Sequence, residues 1–205
     1  MRHVTRWIAL AALPLVTGAC GDVIRSGRSP VMVVVDSLTG ISGNPAAAAG
    51  PANTLISDVL VLLTTPDPCT PASPCPTVYA DSGRVTFHLE SKNAALTPTS
   101  NNQVTITRYR VVFRRLDGRN TPGVDVPYGF DGAITGTIPP TGSATFAFEL
   151  VRHVAKEESP LVQLIVNPNI ILTVADVTFY GTDLVGNAVT ATGSISVEFG
   201  NFGDR

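Results

Sequence analysis

Arg108, Arg110 and Arg114 share one parity in a stretch that also holds Arg115 and Arg119. In an extended strand, residues of equal parity project to the same face, so these three guanidiniums would line up as a cationic stripe. Their planar donor forks suit phosphate-rich glycolipid, acidic polysaccharide or an acidic protein partner. The same pattern also describes a solvated outer face, or an edge strand guarded by charge against aggregation. Directly behind it, residues 117–132 supply carboxylate and amide oxygens from Asp117, Asn120, Asp125 and Asp131 and aromatic rings from Tyr128 and Phe130. Oxygen donors of this kind can hold a hard cation, but their spacing does not match an EF-hand, and Asp, Asn, Gly and Pro are equally what tight turns require. Loops of this sort carry recognition. The candidate binding residues are therefore Arg108, Arg110, Arg114, Asp117, Asn120, Asp125, Tyr128, Phe130 and Asp131, with no metal ligand set assigned.

Chemistry elsewhere is sparse. The chain has no G-x-S-x-G, no H-E-x-x-H and no glycine-rich phosphate loop, and His88 and His153 lie in separate segments. His88 shares strand parity with Glu90, which reads as a surface pair or as an acid–base or metal pair. Near the C-terminus, Asp183 and Asn187 could contribute to calcium binding. One carboxylate and one amide fall short of the six to eight oxygens Ca²⁺ takes, and both residues also suit a tight turn. The expectation is a non-enzymatic protein with no catalytic residues and no cofactor. The alternative is an envelope hydrolase whose site is assembled from scattered polar residues.

The elements that must position these side chains read as strands. Val85, Phe87 and Leu89 alternate with Arg84, Thr86, His88 and Glu90, and Ala144, Phe146, Phe148 and Leu150 alternate with Ser143, Thr145, Ala147 and Glu149. Val189, Ala191, Gly193, Ile195, Val197 and Phe199 oppose Thr190, Thr192, Ser194, Ser196 and Glu198. Such alternation marks antiparallel sheet with one face on a core and one in water. Further strands are expected at residues 31–38, 55–63, 103–116, 133–138, 161–166 and 170–181, with 55–63 buried on both faces and a helical turn only within 152–159. No internal repeat divides the chain. Prolines at 66, 68, 71, 74 and 76 exclude helix around Cys69 and Cys75, which read as a disulfide closing a tight loop. Their C-x5-C spacing matches neither zinc nor redox pairs.

The first residues divide into a basic head (Arg2, His3, Arg6), an apolar run from Trp7 to Val16, and Thr17-Gly18-Ala19-Cys20. A run of this length is too short to span a bilayer and has the layout of a secretory signal. The Cys20 junction resembles the lipobox of bacterial lipoproteins, although Thr17 stands where leucine is usual and ordinary signal peptidase would also accept the site. The resemblance implies lipidation of Cys20 after a signal peptide over 1–19; residues 20–30 then read as a lipidated tether and 31–205 as one domain. Gly21, where aspartate would signal inner-membrane retention, implies the outer membrane. With Cys69 paired to Cys75, lipidation also accounts for the third cysteine, which would otherwise be an unpaired thiol in an oxidising compartment.

Asp176-Val177-Thr178-Phe179-Tyr180-Gly181-Thr182-Asp183-Leu184-Val185-Gly186-Asn187, followed by the last alternating strand, resembles the closing hairpin of bacterial immunoglobulin-like domains. It implies an all-β, antiparallel immunoglobulin-like β-sandwich with elaborated loops. The formal charge of −2 becomes more negative once Arg2 and Arg6 are removed, so nucleic acid is not an expected partner. The expected function is an envelope-tethered binding or structural module, held to the membrane through its N-terminal lipid and contacting an envelope protein or surface polysaccharide. A subunit of a larger envelope assembly is the further alternative.

Overall fold

The computed structural model describes residues 27–45 and 50–202. The signal segment, Cys20 and the first part of the tether lie outside the described residues. Among the described residues the chain is mostly β. Its strands are β1 Val31–Ile41, β2 Thr54–Asp58, β3 Val61–Leu63, β4 Cys75–Thr77, β5 Asp81–Ser91, β6 Val104–Arg114, β7 Phe130–Ile138, β8 Ser143–Val151, β9 Ile171–Asp183 and β10 Ala188–Gly200. A short helix, α1 His153–Glu157, and a 3-10 turn, Leu161–Ile165, lie between β8 and β9.

One sheet has the order β1-β5-β8 and the other β2-β10-β9-β6-β7, while β3 and β4 form a small hairpin. The alternation expected of β5, β8 and β10 is present, with the apolar set of each strand turned inward. Inward rings join the two sheets. Phe87 of β5 meets Phe179 of β9 edge-on with centroids 4.9 Å apart, and Phe148 of β8 meets Tyr109 of β6 at 5.0 Å. Edge-to-face contacts place the positive rim of one ring on the negative face of the next, which contributes about 0.5–1.5 kcal/mol beyond area burial. Burial pushes the Tyr109 hydroxyl above its usual pKa.

Three expectations are corrected. Residues 161–166 are not a strand: Leu161 and Leu164 are buried at a three-residue spacing that suits the 3-10 turn, and Asn167-Pro168-Asn169 stops the chain directly after it. Residues 55–63 are not one strand buried on both faces. They break into β2 and β3 around Val59 and Leu60, and Ile56 and Leu62 face solvent. The pairing is not wholly antiparallel either, because β2 runs parallel to β10, with Leu55 opposite Val197. The chain leaves β1 in one sheet and returns as an edge strand of the other, and that crossing sets its direction.

Cys69 and Cys75 form a disulfide. It closes the proline-rich excursion whose base is the β3–β4 hairpin, where Leu63 pairs with Cys75. Below the sheets, α1 turns Lys156 inward to a fully buried position. Its Nζ is 2.8 Å from Asp81 Oδ2 and donates to the Asp58 carbonyl at 2.8 Å. Ser57 Oγ and the Gly43 amide also donate to Asp81, so every atom of this buried carboxylate has a partner.

Candidate functional site

The outer face of the larger sheet carries the arginines. A bulge between Ile106 and Arg108 changes the parity of β6, so that Ile106 points inward before it and Tyr109, Val111 and Phe113 point inward after it. Arg108, Arg110 and Arg114 accordingly share the outer face. Each is paired. Asp131, opposite Arg110 on β7, accepts from Arg108 Nη1 at 3.0 Å and from Arg110 Nη1 at 2.8 Å. Arg108 also lies over the Tyr180 ring, 4.1 Å from its centroid. Arg114 donates to Asp176 on β9, and Ser194 of β10 donates to the same carboxylate at 2.6 Å.

These contacts set the charge state of the face. The hydrogen bond to Asp176, helped by its charge, raises the Arg114 pKa. Partial burial pushes Asp176 upward, but hydrogen bonds from Arg114 and Ser194 outweigh it and hold the carboxyl below its usual range. Three guanidiniums thus face two carboxylates, so the stripe is largely but not wholly neutralised. Exposed pairs of this kind add little to stability, because water and salt screen them.

The loop after β6 divides the remaining candidates. Asp117 accepts from Arg115 Nη2 at 2.5 Å and from Arg119 Nη2 at 3.1 Å, and the Arg115 bonds above all hold it well below the usual carboxylate range. Asn120 Oδ1 accepts the Arg115 amide at 2.6 Å, and Asp125 Oδ2 accepts the Thr121 amide at 3.2 Å. These oxygens shape the loop. Tyr128 is exposed, whereas Phe130 is buried at the start of β7, with Arg152 over its ring at 4.1 Å and Tyr109 at its edge. Phe130 presents no free face to a ligand. Among the described residues no group of three or more His, Cys, Asp or Glu is placed to hold a metal ion.

His88 lies on the outer face of the smaller sheet, with Nδ1 2.5 Å from Asp36 and Nε2 3.5 Å from Glu90. Asp183 caps the β9–β10 turn, accepting the Val185 and Asn187 amides at 3.1 and 2.8 Å and the Asn187 side chain at 2.8 Å. Burial opposes its ionisation, but these bonds prevail and lower its pKa. The neighbouring Ser29 hydroxyl helps to hold it ionised without making a hydrogen bond of full geometry.

A groove of about 420 Å³ opens where β6 ends and β9 begins. Arg115 and Asp117 form one wall, Leu116, Ile170, Leu172 and Val174 give it apolar surface, and Ser196 and Glu198 close the other side. Leu116 is 82% exposed and Leu172 61%. Only Asp117 of this set was among the sequence candidates. The signal for the rest is parity: Thr173, Ala175, Val177 and Phe179 point inward on β9, so Leu172 and Val174 are aliphatic residues on the side where the strand should be polar.

Compared with known proteins, the chain matches no family model, no curated protein and no solved structure.

Proposed function

We propose that this chain is an envelope-tethered, non-enzymatic module of immunoglobulin-like topology that holds an apolar segment of another envelope protein in the groove beside Leu116 and Leu172. The topology reading rests on strand order. β1, β5 and β8 stand as A, B and E of such a sandwich, and β6, β7, β9 and β10 as C, C′, F and G. The tether reading rests on the Cys20 junction and the short apolar run before it.

The observation that carries the binding reading is the exposed aliphatic set of Leu116, Ile170 and Leu172 around a groove rimmed by Arg115, Asp117 and Glu198. An apolar floor with a charged rim is the anatomy of a protein-binding patch. Polysaccharide sites depend on exposed aromatic faces, and no aromatic residue lines this groove.

The test is photo-crosslinking in the native envelope from probes at Leu116 and Leu172, with Thr190 on the same sheet as control. A discrete protein adduct from both groove positions, absent at Thr190 and abolished by Ile170→Asp, is the expected result. Adducts that ignore the position of the probe, or that contain only carbohydrate, would overturn the reading.

A further inference from the structure

The two ends of the domain differ in a way that neither the groove nor the arginines explain. At the end where the described chain begins, residues 27–30 enter β1 beside three connections: residues 92–103 between β5 and β6, 139–142 between β7 and β8, and 184–187 between β9 and β10. Lys92 ties this corner together, its amide donating to the Pro30 carbonyl and its ammonium to that of Gly27. Leu184 and Val185 project from the tip of the last turn, 59% and 80% exposed, and Leu96 stands 62% exposed on the first connection.

None of these four stretches contains an aspartate or glutamate, while Arg28 and Lys92 give them positive charge. Of the carboxylates at the strand ends beneath them, Asp183 is buried and spent on the turn, and Glu90 lies on the outer face of β5 beside His88. The connections at the opposite end carry Asp117, Asp125, Glu157 and Glu158, interspersed with Arg115, Arg119, Arg152 and Lys156. In a chain of net negative charge, connections that hold Arg28 and Lys92, no acid, and exposed aliphatics are complementary to an anionic lipid surface.

The length of chain outside the described part fits the same partner. Six residues, 21–26, separate Cys20 from Gly27. From Cys20 to Gly27 a fully extended chain reaches about 25 Å, so a lipid on Cys20 keeps this end within that distance of the bilayer, nearer than the groove end when the strands stand upright. We infer that the Leu184–Val185 turn and the Leu96 connection form a membrane-resting tip that seats in the lipid interface and holds the groove outward. The inference deepens the proposed function and rests on its tether reading.

Tryptophan at the tip reports it. Trp7 is the sole tryptophan and belongs to the expected signal segment, so Val185→Trp adds a single reporter to the processed chain. Leu184→Trp is a second probe; both side chains are mostly exposed, so enlarging them makes little demand on the packing. Leu116→Trp, at the far end, is the control. The full protein purified from the envelope is placed in vesicles of phosphatidylethanolamine and phosphatidylglycerol with dibrominated acyl chains. Tip probes should shift to the blue and lose about half their emission to bromine, as side chains at the headgroup boundary do, while the Leu116→Trp signal is unchanged.

Mass spectrometry of the same preparation separates the two readings. Acylated Cys20 with unquenched tip probes overturns the tip and leaves the anchor standing. Quenched tip probes with unmodified Cys20 support the tip and overturn the anchor. Equal quenching at Leu116→Trp overturns the tip orientation.

Discussion

Lys156 Nζ lies 2.8 Å from Asp81 Oδ2 with both side chains fully buried, tying α1 to the first residue of β5. Taking either charge out of water is costly, and only the other member and its hydrogen bonds compensate. Lys156→Met should therefore destabilise the domain by about 3–5 kcal/mol, because Asp81 is left buried without its cation. Lys156→Met with Asp81→Asn should recover part of that loss. Urea unfolding of both variants checks this, and a double variant no better than the single one would show that the pair itself does not matter.

Asp183 should make the protein acid-sensitive in a defined direction. Its folded pKa lies below that of an unfolded aspartate, which is about 3.9. The stability it contributes is therefore present above that value and lost as pH falls through the lower folded value. Asp183→Ala should cost about 1–3 kcal/mol at neutral pH, since three donors lose an ionised acceptor. It should also flatten the decline of Tm below about pH 4, measured against the parent chain by calorimetry.

Gly181 is required by close approach. A Cβ there would sit 2.4 Å from the Thr105 carbonyl oxygen, a backbone atom of the neighbouring strand that cannot move aside. Gly181→Ala should cost about 1–3 kcal/mol by forcing β6 and β9 apart, visible as a lower denaturation midpoint and faster amide exchange at Thr105 and Ile106.

Asp131→Ala tests whether the arginine row is neutralised. Loss of this carboxylate frees Arg108 and Arg110 while changing stability by less than about 1 kcal/mol. The variant should be retained on immobilised heparin to higher salt than the parent. Equal retention would mean that the guanidiniums already present a cationic surface.

The strands at β5, β8 and β10 were legible because each buries one face only, so alternation survives in the residue types. The run 161–166 was not, since a short apolar stretch looks alike in strand and helix, and only the spacing of Leu161 and Leu164 separates them. The break after β2 was hidden because buried Ser57 and Asp58 interrupt the aliphatic pattern, and they are buried for partners far off in the chain. The arginines were placed on one face correctly, but their pairing with Asp131 and Asp176 depends on which strands lie side by side. Phe130 read as a loop aromatic and is instead the first core residue of β7. The groove draws together residues from the loop after β6 and from β9 and β10, which lie far apart in the sequence.

The return of β2 alongside β10 has a mechanical consequence. The chain enters at one end of β1, and that strand pairs along its length with β5 before the backbone crosses to the second sheet and pairs again. A pull between a tether at Gly27 and a cargo held at the opposite end would run parallel to the strands. The β1–β5 bonds lie across that direction and would be sheared together, not opened one by one, which is the geometry in which a strand pair resists force best.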